Sequence, residues 1–331
     1  ECHLCEQAKA DLQTLQDGFP HRLVEIDIDS DPDLQSAYAL DIPVVEVGPY
    51  CLRAPFTPQD LQKTLGAARD RQAHLEQIDD NGCAVGNHKA FRSAVARGQT
   101  ITSSDRVSYL VSRHYLAIFN LLLLLYVGLP FLAPALKKAG ANGAAEVLYK
   151  IYSPLCHQWA FRSFFLFGEQ LYYPHSAANM PGMTTFEAAT GISDQNDPFR
   201  LGARQFEGNQ VMGFKVALCE RDVAIWGSML LFGLIYAMTG RRIPGLPWWA
   251  WILLGMLPAG LDGLSQLVSQ LPIPAIQTLL PYRESTPFLR TLTGFLFGFT
   301  TAWFGFPVVE EAMADTRRLL AKKFAVVAVE P

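Results

Sequence analysis

Four long apolar segments limit what this chain can fold into. The most apolar reads YLAIFNLLLLLYVGLPFLAPAL over residues 115–136 and contains five consecutive leucines. A helix of about 20 mostly apolar residues is long enough to cross a lipid bilayer. Buried helices of a soluble protein are the alternative, but a leucine run flanked by further apolar residues is unusual in water. The sequence therefore predicts an integral membrane protein with about four transmembrane helices, near residues 115–136, 223–240, 248–268 and 288–309.

Charge is divided unevenly along the 331 residues. Residues 1–80 carry sixteen Asp and Glu against six Lys and Arg, a net charge of −10, whereas the remainder has a net charge of +6. Such a shift in composition predicts a domain boundary between an acidic soluble part and a basic, apolar part. The acidic soluble part also argues against nucleic-acid binding.

The soluble part begins with two cysteines, Cys2 and Cys5, in the segment CHLCEQAKADLQTL. The residues that follow predict a helix, a strand at 22–29, a short helix at 31–39 and strands at 41–48 and 50–56. A helix at 57–68 completes the pattern, with Thr57 as its N-cap. This order is that of an α+β, thioredoxin-like domain, in which a CxxC motif is typical of redox chemistry.

Residues 1–73 resemble the small glutaredoxin-like proteins of bacteria, on the evidence of CHLCEQAK, VEIDIDSDPDL and IPVVEVG. The resemblance implies a thioredoxin fold, with Cys2 as the attacking thiolate, Cys5 as the resolving thiol and Pro43 as a cis-proline facing them. That family has a strand immediately before the motif. We therefore expect this sequence to be truncated at its first strand.

The position of the two cysteines supports redox chemistry independently. Unpaired N–H groups and the helix dipole at a helix N-terminus stabilise a thiolate and lower its pKa. A second thiol one turn away can then resolve a mixed disulfide. Two alternatives remain open: a CxxC without activity, and half of a zinc site, which would require a second cysteine pair.

Residues 74–105 read as a polar linker, in which Cys83 and His88 are expected to be ordinary linker residues. Residues 106–323 form the predicted membrane domain, an all-α helical bundle. Within it, residues 144–168 predict an amphipathic or re-entrant segment because they contain both charged and apolar residues.

The membrane domain resembles an uncharacterised family of bacterial integral membrane proteins, domain of unknown function 2085. The match rests on CHQ, RSFFLFG, LDGLSQ, ESTPFLRTLTG and a cysteine at 219 that leads into an apolar segment. In that family the second cysteine usually belongs to a CxRC pair, whereas here the stretch is CERD, with Asp222 in place of the second thiol. The resemblance implies an architecture and no activity.

Cys156, His157, Cys219 and Asp222 are the first candidate site of the membrane domain. Two thiols, an imidazole and a carboxylate make a plausible tetrahedral set for zinc or another soft metal. Cys156 and His157 are neighbours, however, so a turn or a helix end would be needed for both to bind. A disulfide between the cysteines on the oxidising side of a membrane is the second reading. A third is that they are small buried residues without a role.

A second candidate site is a polar pocket of Asp262, Gln266, Glu284 and Arg290. Asp262 and Gln266 lie one helical turn apart on one face of an apolar helix. Glu284 and Arg290 stand at the start of the fourth apolar segment. Charged groups in or beside a bilayer are costly unless they are paired or face water. The set predicts either a buried network that orders the bundle or a site for a small substrate or proton.

Lys and Arg near the helix ends predict the orientation of the protein. With four spans, the basic clusters before the first span, after the second and after the fourth fall on one side. This predicts a bacterial inner-membrane protein with both termini in the cytoplasm and the two cysteine pairs on opposite sides. Lys137 and Lys138 argue the other way, and a spanning segment at 144–168 would invert everything that follows.

Two functions follow from these features. The first is a membrane-tethered thiol–disulfide oxidoreductase that acts on a thiol or disulfide protein or a glutathione-type partner. The second is a membrane protein that binds or transports a metal or small solute, with an accessory redox domain. Lipid is the partner that both readings share.

Overall fold

The computed structural model describes residues 2–30, 32–80, 100–197 and 199–328. The chain forms two compact units: Glu1–Arg113 with Ala312–Pro331, and His114–Glu311. Cys83, His88 and most of the predicted linker lie outside the described residues. The parts of that linker that are described include helix at both ends: one helix continues to Asp80, and another begins at Ser103.

The first unit contains a small α/β region with a short sheet. Strands β1 (Val44–Val47) and β2 (Tyr50–Arg53) form an antiparallel hairpin in which Val44 faces Arg53. Three helices accompany the hairpin: α1 (His3–Thr14), α2 (Pro32–Tyr38) and α3 (Pro58–Asp80).

The predicted cap of α3 is confirmed. Thr57 Oγ1 accepts a hydrogen bond from the Asp60 backbone N–H at 3.3 Å, and the Asp60 carboxylate accepts one from the Thr57 N–H at 3.0 Å. This reciprocal arrangement is a capping box, which satisfies two N–H groups at the start of the helix.

The core of the α/β region lies where α1 meets α3 and the hairpin. Leu12, Leu61 and Leu65 are buried there, and Val45 and Leu52 of the hairpin pack against them. The strand predicted at 22–29 is wrong: these residues form no strand, and Ile28–Ser30 is a 3₁₀ turn. A strand requires a hydrogen-bonded neighbour, and within the described residues the sheet contains only β1 and β2.

The last helix of the chain contributes to the first unit through its C-terminal end. Lys322 Nζ lies 2.6 Å from the Glu46 carboxylate of β1 and 4.9 Å from the centre of the Tyr38 ring. Lys323 pairs with Asp105 at 2.7 Å. Lys322 thus connects this helix end to the glutaredoxin-like region of the sequence, and Lys323 connects it to the start of the helix Ser103–Lys138.

Within the described residues, four helices are long and apolar enough to cross a membrane, as the sequence predicted. Much of their surface is exposed leucine; Leu121 and Leu122, for example, are 55% and 58% exposed. Exposed apolar side chains along a whole helix face are expected where lipid is the solvent. The four helices, called spans 1 to 4, are Ser103–Lys138, Glu220–Met238, Trp248–Ser269 and Pro287–Ala328.

Spans 2 and 4 pack closely at GFLFG (294–298). A Cβ atom on Gly294 or Gly298 would collide with the backbone of span 2 at Arg221 or Ile225. Small residues at such a contact let two helix backbones approach, which is how many membrane helices associate.

The second unit is mostly helical, as predicted, but it is not all-α. A three-stranded antiparallel sheet has the order β3-β5-β4, with β3 at Ser163–Leu166, β4 at Gly208–Asn209 and β5 at Gly213–Cys219. Residues 144–168, which were predicted to be an amphipathic or re-entrant segment, do not form one continuous helix. The helix Asn142–Tyr152 ends within them, and after a 3₁₀ turn the chain continues as β3. The remaining short helices of this unit are Phe186–Thr190, Leu201–Gln205 and Pro274–Leu279.

Candidate functional sites

The first site is the cysteine pair at the start of α1. Cys2 is the N-cap residue with an extended backbone, and its carbonyl accepts the N–H of Cys5 at 3.0 Å. Cys5 lies in the first turn, so both sulfurs belong to the end of the helix where N–H groups are unpaired. Both thiols are partly exposed, which is the condition for meeting a substrate.

The two thiols differ in acidity. A hydrogen bond from the Cys5 side chain, supported by backbone N–H groups, lowers the pKa of Cys2 below its ordinary value. Burial and the neighbouring Cys2 raise the pKa of Cys5 to about 11. The pair therefore contains one thiol that ionises readily and one that keeps its proton.

Pro43 precedes β1, and the Ile42–Pro43 peptide bond is cis, as the resemblance implied. A third cysteine of this unit, Cys51, is exposed on β2 and is not part of the CxxC pair.

The second site is a cluster of Cys156, Cys219 and Asp222, which we call the thiol–carboxylate cluster. One donor atom from each side chain lies within 4.8 Å of the other two. Cys219 ends β5 and caps span 2, so Asp222 is placed in the first turn of that span. The Cys219 thiol donates to Asp222 Oδ2 at 3.0 Å.

Cys156 is brought to the cluster by the loop after helix Asn142–Tyr152. Gln158, two residues after Cys156, is buried. Its Nε2 donates to the carbonyls of Tyr149 and Ala217, at 3.0 and 2.9 Å. Its own carbonyl accepts from Lys215 Nζ at 2.8 Å. Gln158 thus binds the Cys156 loop to the strand that carries Cys219.

Lys215 is a buried amine beside this loop. Burial lowers the pKa of Lys215 to about 7. The amine also donates to the Arg204 carbonyl at 2.5 Å, so two backbone oxygens hold it in place.

The Cys219 thiol interacts with both other members of the thiol–carboxylate cluster, the Cys156 sulfur and the Asp222 carboxylate. Its hydrogen bond with Cys156, together with burial, raises the pKa of Cys219 well above the ordinary value. The same hydrogen bond lowers the pKa of Cys156.

The structure does not bring His157 into the cluster. Its side chain is exposed, and its ring centre lies 5.0 Å from that of Trp159. Consecutive residues of an extended loop point in different directions, so Cys156 faces the interior while His157 faces outward.

The third site is the polar pocket, and here the structure joins all four predicted residues. Glu284 is buried and accepts hydrogen bonds from Gln266 Nε2 at 3.0 Å and from Arg290. The backbone N–H of Ser285 donates to Gln266 Oε1 at 3.3 Å, and the Ser285 hydroxyl donates to Asp262 at 2.7 Å. Ser285 therefore links Asp262 to the other three.

Four arginines neutralise these carboxylates. Arg162 Nε donates to Glu284 at 2.6 Å, and Arg283 donates to Asp262 at 2.9 Å. Arg221 also binds Asp262. Burial alone would raise the pKa of Glu284, but its ion pairs, foremost that with Arg162, hold the pKa below the ordinary value.

Glu220, the first residue of span 2, is the third buried carboxylate of this region. Arg290 Nη1 lies 3.5 Å from its Oε2, but neither carboxylate oxygen has a hydrogen-bond partner among the described residues. We call the carboxylates Glu220, Asp262 and Glu284 with Arg162, Arg221, Arg283 and Arg290 the arginine network.

The sequence only partly indicated the arginine network. Arg162 and Arg283 stand in charged stretches near helix ends, but no local spacing links them to a carboxylate. Glu220 and Arg221 were not predicted from the sequence as site residues. They are two opposite charges at the start of an apolar helix, and this position could have indicated that they belong to a buried network.

A cleft of about 500 Å³ lies beside Lys215. Two of its charged lining residues have partners: Glu207 binds Lys137 at 2.5 Å, and Arg204 binds the Ser153 hydroxyl at 2.7 Å.

Comparisons with known proteins agree with the division of the chain. Residues 1–66 match the family described as a glutaredoxin-like domain (DUF836), and residues 208–304 match that described as a predicted membrane protein (DUF2085). The chain joins a glutaredoxin-like domain to a predicted membrane domain. The second match covers only part of the predicted membrane domain (106–323), and it contains Cys219, Asp222 and the carboxylates of the arginine network but not Cys156.

An uncharacterized protein of Methanocaldococcus jannaschii is 24% identical over 210 residues, which cover 61% of this chain and 96% of that protein. No solved structure gives a significant match. These findings describe a membrane protein that carries a glutaredoxin-like domain.

Proposed function

We propose that this protein is a membrane-tethered thiol–disulfide oxidoreductase. One observation carries the proposal: Cys2 caps the N-terminus of α1 with its pKa lowered by Cys5, which lies one turn away. A partly exposed, acidified thiol with a second thiol in reach is the arrangement that thiol–disulfide exchange requires.

The chemistry proceeds in two exchanges. The Cys2 thiolate attacks one sulfur of a substrate disulfide, the S–S bond breaks, and the other sulfur leaves with the electron pair. The resulting mixed disulfide is then attacked by Cys5, whose proton passes to the departing thiolate. The substrate gains two electrons, and Cys2 and Cys5 become a disulfide. Two molecules of a thiol of the glutathione class then restore the reduced pair by two further exchanges, and they leave as their own disulfide.

We propose that the glutaredoxin-like domain and the C-terminus lie on the cytoplasmic side of a bacterial inner membrane. The positively charged clusters of the sequence support this orientation. The cytoplasm keeps thiols reduced, which is what a dithiol reductase needs. The thiol–carboxylate cluster would then lie on the opposite side, since span 1 separates it from the N-terminal region.

The test is reduction of hydroxyethyl disulfide by the full chain in lipid nanodiscs, with reduced glutathione as the electron donor. Cys2→Ser should abolish the activity. Cys5→Ser should accumulate a mixed disulfide at Cys2, detectable by mass spectrometry. Cys51→Ser is the matched control because Cys51 is exposed but lies outside the motif. Undiminished activity in Cys2→Ser would refute the proposal.

Binding of a metal or small solute by the membrane domain is a second candidate function. The observation that favours it is the convergence of two thiols and a carboxylate within 4.8 Å. In this reading the redox domain is an accessory that serves a partner protein. The arginine network is favoured as support for the bundle, because most of its charges are paired with one another.

A further inference from the structure

We propose that Cys156, Cys219 and Asp222 bind one Zn²⁺ ion with three protein ligands and a fourth position left open. This inference rests on the second candidate function and is independent of the dithiol of α1. It differs from the expectation drawn from the sequence in that His157 is not a ligand.

The donor set selects the metal. Two thiolates favour zinc and copper(I), but a carboxylate is a poor ligand for copper(I) and a common one for zinc. Two sulfurs with one oxygen therefore point to Zn²⁺ rather than to copper(I), magnesium or calcium.

The distances fit a tetrahedral ion. With zinc–sulfur bonds of about 2.3 Å and a zinc–oxygen bond of about 2.1 Å, two sulfurs would be about 3.8 Å apart and a sulfur and an oxygen about 3.6 Å apart. The three donor atoms lie within 4.8 Å of one another, and Cys219 Sγ and Asp222 Oδ2 are 3.0 Å apart. Side-chain shifts of well under ~2 Å would complete the geometry.

The charges around Asp222 also favour a bound cation. Within the described part of the chain, Asp222 has no ion-pair partner, and its one hydrogen bond comes from the Cys219 thiol. The two cysteines belong to a hydrophobic cluster that includes Leu218, Val223 and the ring of Tyr152. Arg221, next to Asp222 in sequence, is bound to Asp262 instead. A carboxylate in an apolar setting is stabilised by a metal ion where no side-chain cation is available.

The thiol–carboxylate cluster is accessible from one side, and its three ligands are held in place. Cys156 is buried, but Cys219 and Asp222 are partly exposed, so an ion can reach the cluster and one side remains for water or a transferred ligand. Cys219 and Asp222 are fixed by the junction of β5 and span 2, and Gln158 holds the Cys156 loop. Three protein ligands with an open position are typical of catalytic or transfer sites, whereas structural zinc sites are closed.

The test uses the full chain with Cys2→Ser and Cys5→Ser, so that the motif of α1 contributes no thiolate. The protein is purified anaerobically in detergent, stripped of metal with a chelator and dialysed against Zn²⁺. Elemental analysis should then find one equivalent of bound Zn²⁺. Co²⁺ in its place should give the thiolate charge-transfer absorption of two sulfur ligands.

Variants of the ligands separate binding from folding. Cys156→Ser and Cys219→Ser should lose the metal, and Asp222→Asn should weaken it by about 10-fold or more. Asp222→Cys should tighten Zn²⁺ binding by adding a third thiolate, a gain that a misfolded protein would not show. His157→Ala is the matched control and should bind as before.

Three results would overturn the inference: metal retained in Cys156→Ser, a Co²⁺ spectrum without thiolate absorption, or a Cys156–Cys219 disulfide as isolated with no metal bound after reduction. Reductase activity in the single variant Cys156→Ser, which keeps Cys2 and Cys5, distinguishes the two proposals. If reductase activity persists but none of the tested proteins binds Zn²⁺, including the one with all three ligands intact, only the zinc site is refuted.

Discussion

Two pairs of cysteines occupy this chain in opposite surroundings. Cys2 and Cys5 lie one helical turn apart at the exposed start of a helix, within a small unit whose core is a few leucines. Cys156 and Cys219 are far apart in sequence and meet in an apolar cluster beside a network of buried charges. Local sequence creates the first pair, whereas the whole second unit is needed to create the second.

This difference indicates different chemistry. A partly exposed pair with one acidified thiol suits exchange with a passing disulfide. A pair packed among apolar residues, next to a carboxylate that has no ion-pair partner within the described residues, suits retention of an ion. Substitutions in each region, from the largest expected effect to the smallest, test whether the two regions act independently.

The largest effect is expected for Arg290→Met in the arginine network. Removing this guanidinium leaves Glu284 and Glu220 buried beside each other without a full complement of positive charge. Breaking a buried ion pair from one side costs about 3–5 kcal/mol. Unfolding in mixed micelles should show this loss in the membrane domain, while disulfide reduction by Cys2 persists. Arg283→Met, at a more exposed position, should cost less; an equal loss would contradict the burial argument.

Leu61→Ala should affect the other region. Leu61 is 1% exposed in the core between α1 and α3, and a buried leucine truncated to alanine costs about 3 kcal/mol. Disulfide reduction should therefore fail at a lower temperature, with zinc binding unchanged. Leu40→Ala is the control because Leu40 is 99% exposed. A joint loss of reductase activity and metal would show that the regions are not independent.

Gln158→Ala should destabilise the membrane domain by about 1–3 kcal/mol, since the carbonyls of Tyr149 and Ala217 lose their buried donor. Zinc affinity should fall with it, because the Cys156 loop is no longer tied to β5. Gln277→Ala removes an exposed amide hydrogen bond and should change neither quantity. Unaltered zinc affinity in Gln158→Ala would show that the loop is held by other contacts.

Cys5→Ala should raise the pKa of Cys2 towards its ordinary value, because the main cause of the lowered pKa is the hydrogen bond from Cys5. A lower pKa means more thiolate at a given pH, so the variant should require a higher pH for half-maximal alkylation of Cys2 by iodoacetamide. Measuring the alkylation rate against pH checks this, with Cys51→Ala as control. A midpoint that does not move would assign the acidity to the helix end alone.

The smallest effect is expected for Lys322→Met, which removes the ion pair with Glu46. Both side chains are partly exposed, and such pairs contribute up to about 1 kcal/mol. Reductase activity should be unchanged and the stability of the first unit nearly so. A loss well above this magnitude would mean that the end of span 4 is a structural part of the glutaredoxin-like region.

Sequence patterns predicted those parts of the fold that depend on neighbouring residues. The four apolar segments, the N-cap at Thr57 and the CxxC at a helix start are all read within a short stretch of chain. The strand at 22–29 was wrong because a strand depends on a partner elsewhere in the sequence. The sheet β3-β5-β4 was missed for the same reason, since its strands β3 and β5 pair across a long connection.

The sequence by itself thus determined that the chain has membrane spans and where a dithiol stands at a helix end. The sequence also grouped Cys156, Cys219 and Asp222 as candidates, but only the tertiary structure decided that His157 lies outside this group and that Arg162 and Arg290 share Glu284. The physical reason is distance along the chain. A side chain's direction within one element follows from local geometry, but its partners in other elements depend on how the whole unit packs.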